Sequence, residues 1–136
     1  MKRTWLLSLL AVTALALAGS ARAADAPTVI IHKPANGAEV DHRQEVSGKV
    51  SDPNADVWVV VHPMETSDFW IQPRVTVRED GSWKVIAYFG NADPAHKGKR
   101  FEVRAFANPS DKLTEGKSDR WPVAEAKSNV LEVNRR

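Results

Sequence analysis

The chain has 136 residues, with 19 Lys and Arg against 17 Asp and Glu, and it contains no Cys. The lack of Cys excludes a disulfide framework, a thiol nucleophile and a lipid anchor attached to Cys. The basic excess comes from the N-terminus, because residues 24–136 carry 16 Lys and Arg against 17 Asp and Glu. The charge balance therefore gives no argument for nucleic acid binding.

Residues 1–23 have the composition of a helical signal peptide. A basic start precedes an apolar run that is short for a membrane span, and Ala21 and Ala23 are small residues where signal peptidase reads the chain. An uncleaved membrane anchor is the weaker interpretation of this run. We expect cleavage before Ala24, which leaves a single domain over residues 24–136, in the periplasm or secreted, with no membrane span.

Sequence patterns predict seven strands and no helix in that domain. Val57 to Val61 is a continuous apolar run too short for a good helix, which indicates a buried strand. Arg74 to Arg78 and Ser82 to Phe89 alternate in polarity around Asp80-Gly81, a pair typical of tight hairpin turns. The other predicted strands are Thr28 to His32, Glu45 to Val50, Arg100 to Ala107 and Asn129 to Asn134.

The tryptophans and one long connection complete the predicted packing. Trp58 and Trp83 lie within apolar strands, and we expect both rings to fill the core. Gly48, inside a predicted strand, indicates a bulge or close packing. Residues 108–128 form a connection unusually long for a compact domain, and we expect Trp121 to anchor it onto the core.

The first half of the domain contains the motifs Ile31-x-x-Pro34-x-x-Gly37-x-x-Val40, Val46-Ser47-Gly48-x-Val50 and Trp58-Val59-Val60-Val61. With these motifs it resembles the bacterial immunoglobulin-like modules of cell-envelope and secreted proteins. The resemblance covers about residues 28–62 and implies a β-sandwich, without carrying over any functional residue. The chain lacks the paired Cys of antibody domains. We therefore expect an all-β fold, a seven-stranded antiparallel immunoglobulin-like sandwich.

The loops predict where a ligand binds. Successive loops of a sandwich alternate between its two ends, so Met64 to Phe69 and Asn91 to Lys99 should share one end. Ser51 to Ala55 and Asn108 to Ser128 should share the other. The first end combines aromatic with charged residues, and Trp is a side chain that often carries binding energy. We predict a ligand site there, formed by Phe69, Trp70, Glu65, Asp68 and Lys97.

These features favour a non-enzymatic function. No Ser lies in a Gly-x-Ser-x-Gly motif, and His32, His42, His62 and His96 lack the close spacing of familiar metal motifs. We expect an exported binding or accessory module of the cell envelope without a cofactor, whose partner is a protein or a glycan. Two alternatives stay open: a carbohydrate-binding module that uses exposed aromatic residues such as Trp70, and a periplasmic metal-binding protein that uses His62 and Met64.

Overall fold

The computed structural model describes residues 26–136, so the predicted signal peptide lies outside the described residues. The described chain forms eleven strands and one short 3-10 helix, Pro94–His96. None of its helices is long and apolar enough to cross a membrane. The strands are β1 (Val29–Lys33), β2 (Glu39–Val40), β3 (Arg43–Val50), β4 (Val57–Pro63), β5 (Phe69–Ile71), β6 (Thr76–Val77), β7 (Ser82–Tyr88), β8 (Arg100–Pro109), β9 (Gly116–Ser118), β10 (Ala124–Lys127) and β11 (Leu131–Arg135).

The strands form two sheets of unequal width. The narrow sheet has the order β1-β3-β7-β6. The wide sheet has the order β2-β11-β8-β4-β5-β9, and β10 also pairs with β8. The described pairings are antiparallel except that of β2 with β11, which is parallel. The predicted all-β class is therefore confirmed.

The predicted count of seven strands is not confirmed, because the described chain has eleven. Each predicted strand overlaps an observed one, although the segment Arg74 to Arg78 contributes only the two residues of β6. The additional strands β2, β5, β9 and β10 have two to four residues each. Segments of two to four residues are too short to show an alternation of apolar and polar residues in their own sequence. Pairing with the backbone of a neighbouring strand sets their register instead.

The main core lies between the two sheets, where alternate residues of their strands meet. Trp83 of β7 is buried in it, as predicted, and Phe89 meets Phe101 edge to face at 5.8 Å between ring centroids. Gly48 lies against Trp83 where the pairing of β1 with β3 is irregular. A Cβ atom on Gly48 would come within 1.9 Å of the Ile30 carbonyl oxygen, so the predicted close packing is confirmed.

Strand β4 is buried on both of its faces. Val57, Val59 and Val61 face the main core, whereas Trp58 and Val60 point to the outer face of the wide sheet. Trp58 is therefore buried in the core, as predicted, although it lies on the outer face of the wide sheet and not between the two sheets. The unbroken apolar run gave no period with which to assign its two faces.

Residues 110–123, here called the strap, cover this outer face. A second apolar cluster lies on this face, and its buried members are Trp58, Val60, Ile71 and Phe106. Leu113 and Trp121 of the strap pack on it. The N–H of Ser110 donates to the carbonyl of Val123 at 2.8 Å and closes the base of the strap. The prediction that Trp121 anchors the long connection is thus confirmed.

Replacing Trp83 by Ala should lower the free energy of unfolding by about 3–5 kcal/mol, because it removes a large ring from the main core. Urea unfolding of the purified domain measures this loss. Trp70→Ala is the matched control, since its ring is partly exposed, and it should cost no more than about 1 kcal/mol. Equal losses for the two variants would contradict the assigned core.

Candidate functional site

A cleft of about 540 Å³ lies at one end of the two sheets. Strands β5 and β9 of the wide sheet and the end of β7 line it. The ends of β4 and β8, the loop after β4 and the loop after β7 also contribute to its lining. The lining residues include Glu65, Asp68, Trp70, Gln72, Tyr88, Asn91, His96, Lys99 and Glu115.

Gln72 joins the two sheets at this cleft. Its side chain is only 3% exposed, and its Nε2 donates to the Trp70 carbonyl at 3.0 Å. Its Oε1 accepts from the N–H of Tyr88 at 2.7 Å. A buried amide with both ends hydrogen-bonded holds its partners in one arrangement, so Gln72 fixes the spacing between β5 and β7.

Trp70 is one of two large aromatic side chains that line the cleft and stay partly exposed, the other being Tyr88. It pairs with Val61 across β5 and β4, so its side chain lies on the core-facing side of the wide sheet. The narrow sheet does not bury it, and the residue remains 41% exposed. An indole held by strand pairing and partly exposed in a cleft can stack on a ligand without reorganising the fold.

Ion pairs hold the acidic groups of the cleft. Lys99 Nζ lies 3.4 Å from Glu65 Oε2, and Lys117 Nζ lies 3.3 Å from Asp68 Oδ1. These pairs are solvated and contribute little to stability. Their chemical role is to present fixed hydrogen-bond donors and acceptors around Trp70.

His62 fastens the loop after β4 from the outer face of the wide sheet. Its Nδ1 lies 2.7 Å from Glu102 Oε1, and its Nε2 lies 2.7 Å from the Thr66 carbonyl oxygen. The ring stacks on Phe69 with centroids 4.2 Å apart and meets the edge of Trp121 at 5.9 Å. These contacts tie the ring both to β8, through Glu102, and to the loop after β4, through Thr66.

Metal binding through His62 and Met64 gains no support from this geometry. Both ring nitrogens of His62 already face oxygen atoms at 2.7 Å, so neither nitrogen is free to face a metal. Within residues 26–136 there is no group of three His, Cys, Asp or Glu residues placed to hold a metal ion.

The structure brings three of the five predicted site residues into one cleft: Glu65, Asp68 and Trp70. Phe69 lies on the opposite face of β5, where it packs with the second apolar cluster. Lys97 does not line the cleft, and Lys99 takes the cationic position instead. Adjacent residues of a strand point to opposite faces, which is why Phe69 and Trp70 separate.

The two loops predicted to share an end with Trp70 both line the cleft. The prediction for residues 108–128 is only half right. Asn108 bonds reciprocally with Asp56 at the far end of β4, where the connection begins, as expected. The strap then returns along the outer face, and its strand β9 pairs with β5. Glu115 and Gly116 therefore line the cleft as well.

Gln72, Tyr88 and His96 are among the lining residues that the sequence did not predict as site residues. Gln72 lies next to Trp70 in the sequence, but its role depends on a bond to a strand 16 residues away. The His96 Nδ1 is buried and has no hydrogen-bond partner in the described part of the chain. The Asp93-Pro94 pair is a helix-start signal that could have predicted the turn presenting it.

Comparison of the chain with protein-family models, with curated proteins and with solved structures found no match. The assignment of the cleft as the candidate site therefore depends on its own geometry.

Replacing Gln72 by Leu should destabilise the domain by about 2 kcal/mol, because the Tyr88 N–H and the Trp70 carbonyl both lose their partner. Urea unfolding provides the measurement. Gln44→Leu is the matched control, since the Gln44 side chain makes only longer bonds at 3.3 and 3.4 Å near the surface. An unchanged Gln72→Leu variant would refute the role given to this amide.

Proposed function

We propose that this chain is an exported, non-enzymatic binding or accessory module of the bacterial cell envelope, and that its ligand occupies the cleft. One observation carries the proposal: Trp70 is 41% exposed in a cleft of about 540 Å³. A soluble domain gains stability by burying such a ring, and Trp is among the side chains that carry most binding energy. Its exposure there is best explained by a ligand.

The immunoglobulin-like assignment belongs to this proposal, and strand order supports it. The narrow sheet follows the A-B-E-D order if β1, β3, β7 and β6 take those places. In the wide sheet, β11, β8 and β4 then occupy the G, F and C places, with β5 added as in variable-type domains. Modules with this architecture act largely through loops at the ends of the sheets, which is where the cleft lies.

The ligand is a protein or a glycan of the envelope, and the lining supports the carbohydrate alternative specifically. A sugar ring packs its apolar face on an aromatic side chain, while its hydroxyl groups need both donors and acceptors. Trp70 provides the aromatic surface, and the Glu65–Lys99 and Asp68–Lys117 pairs provide both kinds of polar group beside it.

Replacing Trp70 by Ala should weaken ligand binding at least tenfold while changing the melting temperature by only a few degrees, as expected for an exposed site residue. A glycan array and an overlay on envelope protein fractions identify the ligand class, and titration of the hit measures affinity. Trp70→Phe, which keeps an aromatic ring, should retain more binding than Trp70→Ala.

Met64→Ala is the control outside the cleft, because Met64 is exposed nearby without lining it. Unchanged binding by Trp70→Ala would remove the cleft as the site. Unfolding of that variant would instead assign Trp70 to the core.

A further inference from the structure

The outer face of the narrow sheet exposes three large apolar side chains. Ile30 is 51% exposed, Ile86 is 40% exposed and Tyr88 is 42% exposed. All three belong to β1 and β7, and their strand positions alternate with those of the main-core residues. No part of the described chain covers this face in the way that the strap covers the wide sheet.

Positive charge is concentrated on the same face. Arg43, Lys49, Arg78 and Lys84 are exposed there, Glu45 lies among them, and the acids Glu79 and Asp80 follow Arg78 in the adjoining turn. Residues 26–136 as a whole contain 16 Lys and Arg against 16 Asp and Glu. The basic residues on this face are therefore a local excess of positive charge in a domain whose charges are otherwise balanced. Within the described chain none of these four cations forms an ion pair.

Three of the four cations, all except Arg43, line a shallow depression of about 350 Å³. Its lining has the composition of a phosphate site, since it combines three permanent cations with His32 and two hydroxyl groups and contains no carboxylate. The lining side chains are Lys49, Arg78, Lys84, His32, Ser47 and Ser82.

Acids in the adjoining turn offset part of this charge. Hydrogen bonds from Ser82 hold the pKa of Asp80 below its usual value of 3.8, and Lys49 and Arg78 act in the same direction. Asp80 is therefore ionised at neutral pH. Asp80 lies in the turn before β7. On the flat part of the sheet, from Lys84 to Arg43, the acidic residue is Glu45.

We propose that the outer face of the narrow sheet binds the surface of an anionic phospholipid bilayer, with lipid phosphates at the depression. Cross-strand pairing places cations beside two of the three apolar side chains, since Ile30 pairs with Lys49 and Tyr88 pairs with Arg43, whereas Ile86 pairs with Glu45. Apolar side chains interleaved with basic ones fit the headgroup boundary of a bilayer, because the apolar groups contact acyl chains there and the basic groups contact anionic headgroups. A protein partner would favour an apolar centre depleted of Lys, which this face lacks. The inference does not depend on which ligand occupies the cleft, although Tyr88 lies at the border of both surfaces and also lines that cleft.

Sedimentation with phosphatidylglycerol-containing vesicles tests the proposal, using the exported product of the full chain. Lys49→Gln together with Lys84→Gln should weaken binding about 25-fold, at about fivefold for each lysine. The matched control, Lys112→Gln with Lys127→Gln, removes the same charge from exposed positions elsewhere and should bind as the parent does. All variants share one N-terminus, so any contribution from it cancels. If the double variant fails to fold, each single exchange provides the same comparison.

Replacing an exposed apolar residue distinguishes insertion of apolar side chains into the bilayer from electrostatic attraction alone. Ile86→Ser should weaken vesicle binding about tenfold, whereas Val123→Ser, at an exposed position in the strap, should leave it unchanged. Vesicles of phosphatidylcholine alone should bind poorly, and free inorganic phosphate should compete only weakly. No vesicle binding, equal binding to neutral vesicles, equal losses in the two lysine pairs, or complete competition by free phosphate would each overturn the proposal. Capture of an acidic protein by this face without vesicle binding would likewise replace the bilayer with a protein partner.

Discussion

The structure depends on a strand that is apolar on both faces. Residues Val57 to Val61 of β4 are all buried, and a strand places alternate side chains on opposite sides of its sheet. The narrow sheet can cover only the inner side. Trp58 and Val60 on the outer side need a second cover, and the strap provides it with Leu113 and Trp121. The long connection is therefore a structural requirement of β4, because leaving its outer side in water would forfeit that burial.

The strap that covers the outer side of β4 also helps to form the candidate site. By crossing the outer face, the strap adds β9 beside β5 and extends the wide sheet beyond the strands that the narrow sheet can cover. Trp70 faces the resulting cleft, while its neighbour Phe69 faces the strap and stacks on His62. One short strand thus links the second apolar cluster to the cleft. Gln72 then ties this strand to the narrow sheet.

Much of the fold could be predicted from the sequence, because the long strands show an alternation of apolar and polar residues in their own sequence. The alternation in Ser82 to Tyr88 gave the right faces, with Trp83 inside and Ile86 outside. Short strands such as β5 and β9 have too few residues to show a period, and their existence depends on distant partners. The cleft was therefore predicted only in part: Trp70 stood out as an aromatic residue beside a polar loop, whereas the role of Gln72 required knowing that β7 ends beside β5.

Hydrogen exchange in a Trp121→Ala variant tests most directly whether the burial of β4 holds the cleft together. The account predicts that the amides of Gly116 to Ser118 lose protection, because the strap detaches and β9 leaves β5. Protection in β3 and β7 should persist, and Val123→Ala, an exchange at an exposed strap position, should change neither region. Unchanged protection of Gly116 to Ser118 in Trp121→Ala would contradict the account, since β9 would then not depend on the outer face of β4.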